Sequence, residues 1–338
     1  MTLSPRWALV ALMITPMVAA HAEPSDTTQS FNPRLLRRFQ PLRATFLAEP
    51  ASEKVALGKM LYFETRLSKA GNVSCQSCHA VEKYGVDGEA FSKGTHGQRG
   101  GRNAPSTINA AGHFVQFWDG RAATIEEQAL GPMMNPVEMG MSDGAAVLRT
   151  LEAIPGYVEA FGRAFPGKSP AITLEHVAAA IGAYERTLVS PSRWDKFLRG
   201  DKSALTGAEV EGLRVFTNVG CMVCHTGEML GGSTFQRVGV VEPWPNQKDR
   251  GRREVTKNPS DDMMFKVPSL RNIAKTSPYF HDGSAATLPE AITMMGRHQL
   301  GLELSEEEVT SIATWMQSLT GELPRDAITP PKLPKGPK

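Results

Sequence analysis

Cysteine is scarce in this chain, and the shortage is informative. Its 338 residues include four cysteines, all within Cys75-Gln76-Ser77-Cys78-His79 and Cys221-Met222-Val223-Cys224-His225. No thiol is left over for a structural disulfide. A strong charge of either sign is also missing: 37 Lys and Arg face 35 Asp and Glu, a formal charge of +2. That balance argues against a nucleic-acid binder. It leaves the docking of a charged partner to a local patch; Arg34, Arg37, Arg38 and Arg43 are one candidate, though a solvated face explains them better. Strand signals are few, so the expected fold is mainly α. Beyond the N-terminal segment, no apolar run is long enough to cross a bilayer.

Residues 1–22 read as a secretory signal. Arg6 supplies the positive start, Trp7 to Ala20 the apolar run, and Ala20-His21-Ala22 the small-residue cleavage pattern. The run is short and broken by Thr15 and Pro16, which disfavours a membrane anchor. A soluble, exported mature chain follows, with the periplasm as its expected compartment.

The two cysteine motifs carry the chemistry. A lone C-x-x-C leaves a zinc site or a thioredoxin-like redox pair open. Two copies, each followed directly by histidine, favour C-x-x-C-H attachment of c-type haem. The two thiols take the vinyl groups on one porphyrin edge, and the adjacent histidine becomes the proximal iron ligand. The cofactor-binding residues are therefore Cys75, Cys78, His79, Cys221, Cys224 and His225.

Along the chain, Ser52 starts a helix predicted to run to about Lys69. Tyr84 to Asn103 reads as a long Gly-rich loop carrying His96. Thr124 and Glu127 form a capping box that opens a short helix with Gln128, expected to stop at Gly131-Pro132. Amphipathic helices follow around Val147–Ile154 and from Thr173 to about Val189. Ser190-Pro191-Ser192 marks a boundary. The second half repeats the order of helix, glycine and haem motif, with Thr206, Thr287 and Ser305 as helix caps. The pattern predicts an internal duplication with one haem per domain, at 23–189 and 190–322. The Pro- and Lys-rich tail, 323–338, is expected to be extended and mobile.

Longer motifs then place the chain. Arg102-Asn103-Ala104-Pro105, Gln116-Phe117-Trp118-Asp119-Gly120-Arg121, Glu127-Gln128-Ala129 and Asn135-Pro136-Val137-Glu138-Met139 lie in the first half. Phe265-Lys266-Val267-Pro268-Ser269-Leu270-Arg271-Asn272, Tyr279-Phe280-His281-Asp282-Gly283 and Met295-Gly296 before Gln299-Leu300-Gly301 lie in the second. In this order they resemble the bacterial dihaem cytochrome c peroxidases over nearly the whole mature length.

The resemblance implies two cytochrome-c-like domains, each with a covalently attached haem. It implies a peroxidatic N-terminal haem, a higher-potential C-terminal haem for electron entry, and an enzyme that reduces hydrogen peroxide to water. It also implies a small cytochrome c or a cupredoxin as electron donor, and a homodimeric assembly. A calcium ion between the domains is implied on Asn103 and the backbone carbonyls of Thr276 and Pro278. His79 and His225 become iron ligands, joined by Met295 at the second haem and by His96 at the first in the oxidised form. Some family members keep the first iron five-coordinate.

Glu138 is implied as the general acid–base, Gln128 as the group that orients peroxide, and Trp118 as an aid to electron transfer between the haems. A buried structural role for Trp118 stays open. His281 is expected to support the second haem, through a propionate. His113, His176 and His298 read as structural. Two rivals stay open: a related dihaem oxidase acting on a protein substrate, and a dihaem electron carrier without turnover. The oxidases place a tyrosine at the position of Met295.

Overall fold

The computed structural model describes residues 34–43 and 52–336. The expected signal segment, 1–22, lies outside the described residues. In chain order the first half contributes α1 (Glu53–Tyr62), α2 (Cys75–Cys78), α3 (Ile125–Met134), α4 (Gly144–Glu152), α5 (Pro155–Ala164) and α6 (Leu174–Glu185). The second half contributes α7 (Arg193–Leu198), α8 (Gly207–Asn218), α9 (Arg253–Thr256), α10 (Leu288–Met295), α11 (Glu306–Gln317) and α12 (Arg325–Ile328). Strands β1 (Phe235–Arg237) and β2 (Met264–Lys266) pair antiparallel, with Phe235 opposite Lys266.

The expected caps are in place. The Ser52 side chain accepts from Val55 N–H, Thr206 from Glu209 N–H, Thr287 from Glu290 N–H and Ser305 from Glu308 N–H. Each satisfies an N–H that has no partner inside its helix.

The two halves repeat one packing device. In each, the helix preceding the cysteine motif lies against the last long helix of that half, and a glycine sits at the contact. A Cβ on Gly58 of α1 would lie 1.8 Å from the Ala180 carbonyl oxygen of α6. A Cβ on Gly212 of α8 would lie 1.9 Å from the Ser311 carbonyl oxygen of α11. No side chain fits at that separation, so glycine sets the close approach. The first core gathers Leu57, Leu61, Tyr157, Phe161, Val177 and Ile181, and the second Trp194, Leu213, Phe216, Ile312 and Trp315.

The structure corrects the expected elements in four places. α1 ends at Tyr62 rather than near Lys69, because the next turns serve a buried polar group. Glu64, 1% exposed, accepts from Arg66 and from the Tyr157 hydroxyl at 2.7 Å. The expected stop at Gly131-Pro132 fails: α3 runs through Pro132 to Met134. The Pro132 carbonyl then receives Met139 N–H at 3.2 Å, folding the chain back over the helix end.

Two described segments, 34–43 and 323–336, cross over to the opposite half. Phe39, placed by sequence in the first domain, packs in the second core against Trp194 with ring centroids 5.4 Å apart. The tail is docked rather than mobile. Ala327 is buried in a cluster with Tyr62, Val81 and Tyr184, and the Tyr184 hydroxyl donates to the Ala327 carbonyl at 2.9 Å. Arg66 Nη2 donates to the Pro334 carbonyl at 2.9 Å. The tail's few apolar residues suffice because Tyr62, Val81, Ile108, Tyr184 and Leu188 pack around Ala327.

Candidate active site

Each cysteine motif opens on a cavity. The first, about 590 Å³, is lined by Cys75, Cys78 and His79 together with Gln128, Glu138 and Glu185. The second, about 380 Å³, is lined by Cys221, Cys224 and His225 together with Met295, His281 and Gln299. The motif histidines are held alike. His79 Nδ1 lies 3.4 Å from the Gly85 carbonyl, and His225 Nδ1 lies 3.1 Å from the Leu230 carbonyl. A carbonyl can only accept, so the proton sits on Nδ1 and Nε2 keeps its lone pair for a metal. Burial lowers both imidazole pKa values, which keeps them neutral and ready to ligate.

The thiols behave differently from those of a redox pair. Burial pushes Cys75 and Cys221 up to about 12 and Cys78 up to about 11. Thioredoxin-like chemistry needs a lowered thiol pKa. Among the described residues, no three His, Cys, Asp or Glu side chains form a metal-binding group, which speaks against zinc. Two thiols, an imidazole with free Nε2 and a large apolar-walled cavity fit a c-type haem in each half. Two further observations support that fit. His113 Nε2 and His281 Nε2 are buried with no hydrogen-bond partner among the described residues, and both rings line these cavities.

The first cavity brings together the residues expected for acid–base work. Gln128 comes from α3, and Glu138 from the turn that folds back over the end of that helix. Asn135 Nδ2 donates to Glu138 Oε1 at 2.7 Å. Burial raises the Glu138 pKa above the ordinary glutamate range, with Arg121 and the Asn135 bond opposing that rise. Arg121 lines the same cavity, pairs with Asp119 at 2.9 Å, and lies 3.4 Å from the Phe117 ring centroid. The second cavity is lined by no Asp or Glu among the described residues.

The structure does not bring His96 to the first cavity. His96 is exposed, with φ 57°, and is not part of the lining, although its neighbours Gly94 and Ser92 are. The loop is strapped down at Thr95, which donates its N–H to the Glu138 carbonyl at 2.6 Å.

Trp118 lines both cavities and is half-buried. Its Nε1–H donates to the Asn103 carbonyl at 2.9 Å, while Asn103 N–H donates to the His281 carbonyl at 2.8 Å. Asn103, Thr276 and Pro278 all line the second cavity. Asn103 Nδ2 is spent on the Glu89 carbonyl at 3.0 Å, which turns its Oδ1 to other use. His281 is 3% exposed and stacks on Phe265 at 4.1 Å.

His176 stacks on Phe165 at 4.0 Å, and His298 packs against Trp244 at 5.3 Å, both as structural residues. His113 is more than that, because it lines both cavities beside Lys266. Sequence reading missed Arg121, Lys266 and Glu185. Arg121 and Lys266 lie inside the quoted motifs, which was the available signal. Glu185 lies in no motif.

Comparison with known proteins agrees with this geometry. Residues 52–203 match the family described as di-haem cytochrome c peroxidase. The chain is 43% identical to cytochrome c551 peroxidase of Nitrosomonas europaea, covering 84% of each chain. It is 40% identical to cytochrome c551 peroxidase of Pseudomonas aeruginosa, covering 98% of this chain and 95% of the relative. It is 33% identical to methylamine utilization protein MauG of Methylorubrum extorquens, covering 97% of each. Among solved structures, a MauG-like protein associated with microbial copper homeostasis superposes with TM-score 0.74 at 30% identity, over 87% of this chain and 95% of that one.

The chain belongs to the di-haem cytochrome c peroxidase family. It is an oxidoreductase of the peroxidase class, mainly helical, with two haems as its cofactors.

Proposed function

We propose that this chain is an exported, periplasmic peroxidase that reduces hydrogen peroxide to water at its N-terminal haem. Each turnover consumes two protons and two electrons. The electrons come from a small cytochrome c or a cupredoxin and enter through the C-terminal haem. When bound, the haems supply the redox-active irons and the coordination position at which peroxide is reduced. Cys75 and Cys78 hold one haem covalently, and Cys221 and Cys224 the other. His79 and His225 supply the proximal Nε2 atoms.

The convergence of Gln128 and Glu138 on the cavity of Cys75, Cys78 and His79 carries this reading. Glu138 takes a proton from the proximal peroxide oxygen and returns one to the distal oxygen, a role typically worth about 10²–10⁴-fold in rate. Gln128 orients peroxide by hydrogen bonding, and Asn135 holds the carboxylate. The second cavity has a thioether, Met295, and no carboxylate in its wall among the described residues. Met/His ligation favours ferrous iron and raises potential, which suits electron entry. Sulfur at position 295 also argues against an oxidase acting on a protein substrate. An electron carrier without turnover has no use for the acid–base pair.

His96 is proposed as a ligand of the first iron in the oxidised resting form, reached by an inward swing of its loop. The exposed position of His96 suits the released form. Trp118 bridges the two centres. Asn103 Oδ1 and the carbonyls of Thr276 and Pro278 are hard oxygen donors suited to calcium at the wall between the halves. A homodimer is the proposed assembly.

A peroxide pulse on calcium-loaded holoprotein poised with one haem reduced tests the function. Rapid peroxide loss with reoxidation of the reduced haem is expected. A haem that stays reduced while peroxide persists would leave an electron carrier.

A further inference from the structure

Lys266 and His113 form a polar pair on the wall common to both cavities. Lys266, the last residue of β2, is 5% exposed. Its Nζ donates to His113 Nδ1 at 3.1 Å and to the Val115 carbonyl at 3.1 Å. Because His113 Nδ1 accepts, the imidazole proton must sit on Nε2. That N–H is buried and meets no acceptor among the described residues. No carboxylate there lies within ion-pair distance of Lys266. Asp119 is the acid whose charge reaches it, and Arg102 and Arg121 already hold Asp119.

A buried ammonium without an anion is costly, and the usual remedies are pairing or deprotonation. Burial brings the Lys266 pKa down to about 8, so the group stays charged at neutral pH. Burial and the Lys266 charge hold His113 neutral. The site therefore offers one positive charge and one spare N–H donor, and lacks an anionic oxygen. A haem brings two carboxylates on the porphyrin edge remote from its thioether-bearing edge.

We propose that Lys266 Nζ and His113 Nε2–H are a shared propionate-binding pair, and that the Lys266 charge raises the reduction potential of both haems together. The inference rests on the two-haem reading above. A positive charge in a low-dielectric wall stabilises the extra electron on either iron. This makes Lys266 a lever common to both centres, whereas Met295 acts on one.

The test is a spectroelectrochemical titration of holoprotein variants, joined to redox-difference infrared spectra with ¹³C-labelled haem propionates. Lys266→Met is expected to weaken reduction of both haems by about tenfold each, ~59 mV per one-electron couple. Lys266→Arg is expected to keep both potentials within about threefold of the native protein. His113→Phe is expected to shift a labelled propionate band while leaving the charge in place. Potentials unmoved in Lys266→Met, or moved at one haem alone, would overturn the shared assignment. If Lys266→Met does not assemble, an unmoved propionate band in His113→Phe overturns it. A native protein that titrates as one haem would instead sink the two-haem reading itself.

Discussion

Asn135 Nδ2 donates to Glu138 Oε1 at 2.7 Å, and this bond aims a carboxylate that shares the wall of the first cavity with Gln128. It also opposes the burial that raises the Glu138 pKa. Asn135→Leu should therefore cut turnover about 10–100-fold by loosening the carboxylate. It should also move the acid limb of the kcat/KM–pH profile upward. The sign follows from the role: Glu138 starts as a base, so activity falls as pH drops through its raised pKa, and removing a bond to the carboxylate raises that pKa further. An acid limb that stays put or moves down would free Glu138 from this control.

Glu138→Gln keeps the shape and removes the proton acceptor. Turnover should fall about 10²–10⁴-fold with both haem spectra near native. Retained peroxide consumption under steady-state assay would take Glu138 out of the chemistry.

Met295→His should lower the potential of the C-terminal haem and leave the other close to its native value. Ligand identity tunes haems over about 0.8 V, so the shift should be large. A redox titration with both waves unchanged would remove Met295 from the iron.

Gly212 sets how near α8 comes to α11. In Gly212→Val the new Cβ meets the Ser311 carbonyl, an atom that cannot rotate aside. We expect a loss of about 3 kcal/mol or more, above the usual overpacking cost because backbone must move. Thermal denaturation of the holoprotein measures it, and a Tm within a degree or two of native would show that the helices separate freely.

Glu185 sits at the end of α6, 5% exposed, on the first cavity. Burial, then the Glu126 charge, pushes its carboxyl up to about 8, with Arg186 opposing. A folded pKa above the unfolded value near 4.5 means the group binds its proton more tightly in the folded chain. The stability that this group contributes is full below about pH 4.5 and is lost as pH climbs through about 8. Glu185→Gln should flatten that slope and raise Tm at pH 8 while changing little at pH 4.5. Parallel Tm–pH curves for the two proteins would contradict it.

Much of this was legible before any coordinates. The spacing of Cys75, Cys78 and His79, and its copy at Cys221, Cys224 and His225, is local chemistry: a thiol pair and an imidazole within five residues need no tertiary information. Helix caps at Ser52, Thr206, Thr287 and Ser305 are equally local, since each side chain bonds an N–H three residues on. The ends of α1 and α3 were misread because distant partners decide them, Tyr157 for Glu64 and the returning Met139 for Pro132.

What the sequence determined by itself, then, was which residues attach the cofactors and where most helices begin. Only the tertiary structure decided that Gln128 and Glu138 face one cavity, that Trp118, His113 and Lys266 stand between two, and that His96 lies outside. It alone also showed Phe39 packed in the second core and Ala327 packed against Tyr62 and Tyr184 of the first half. The physical reason is range. Covalent spacing and caps act over a few residues, whereas burial, unpaired donors and shared walls arise only when segments far apart in the chain exclude water together.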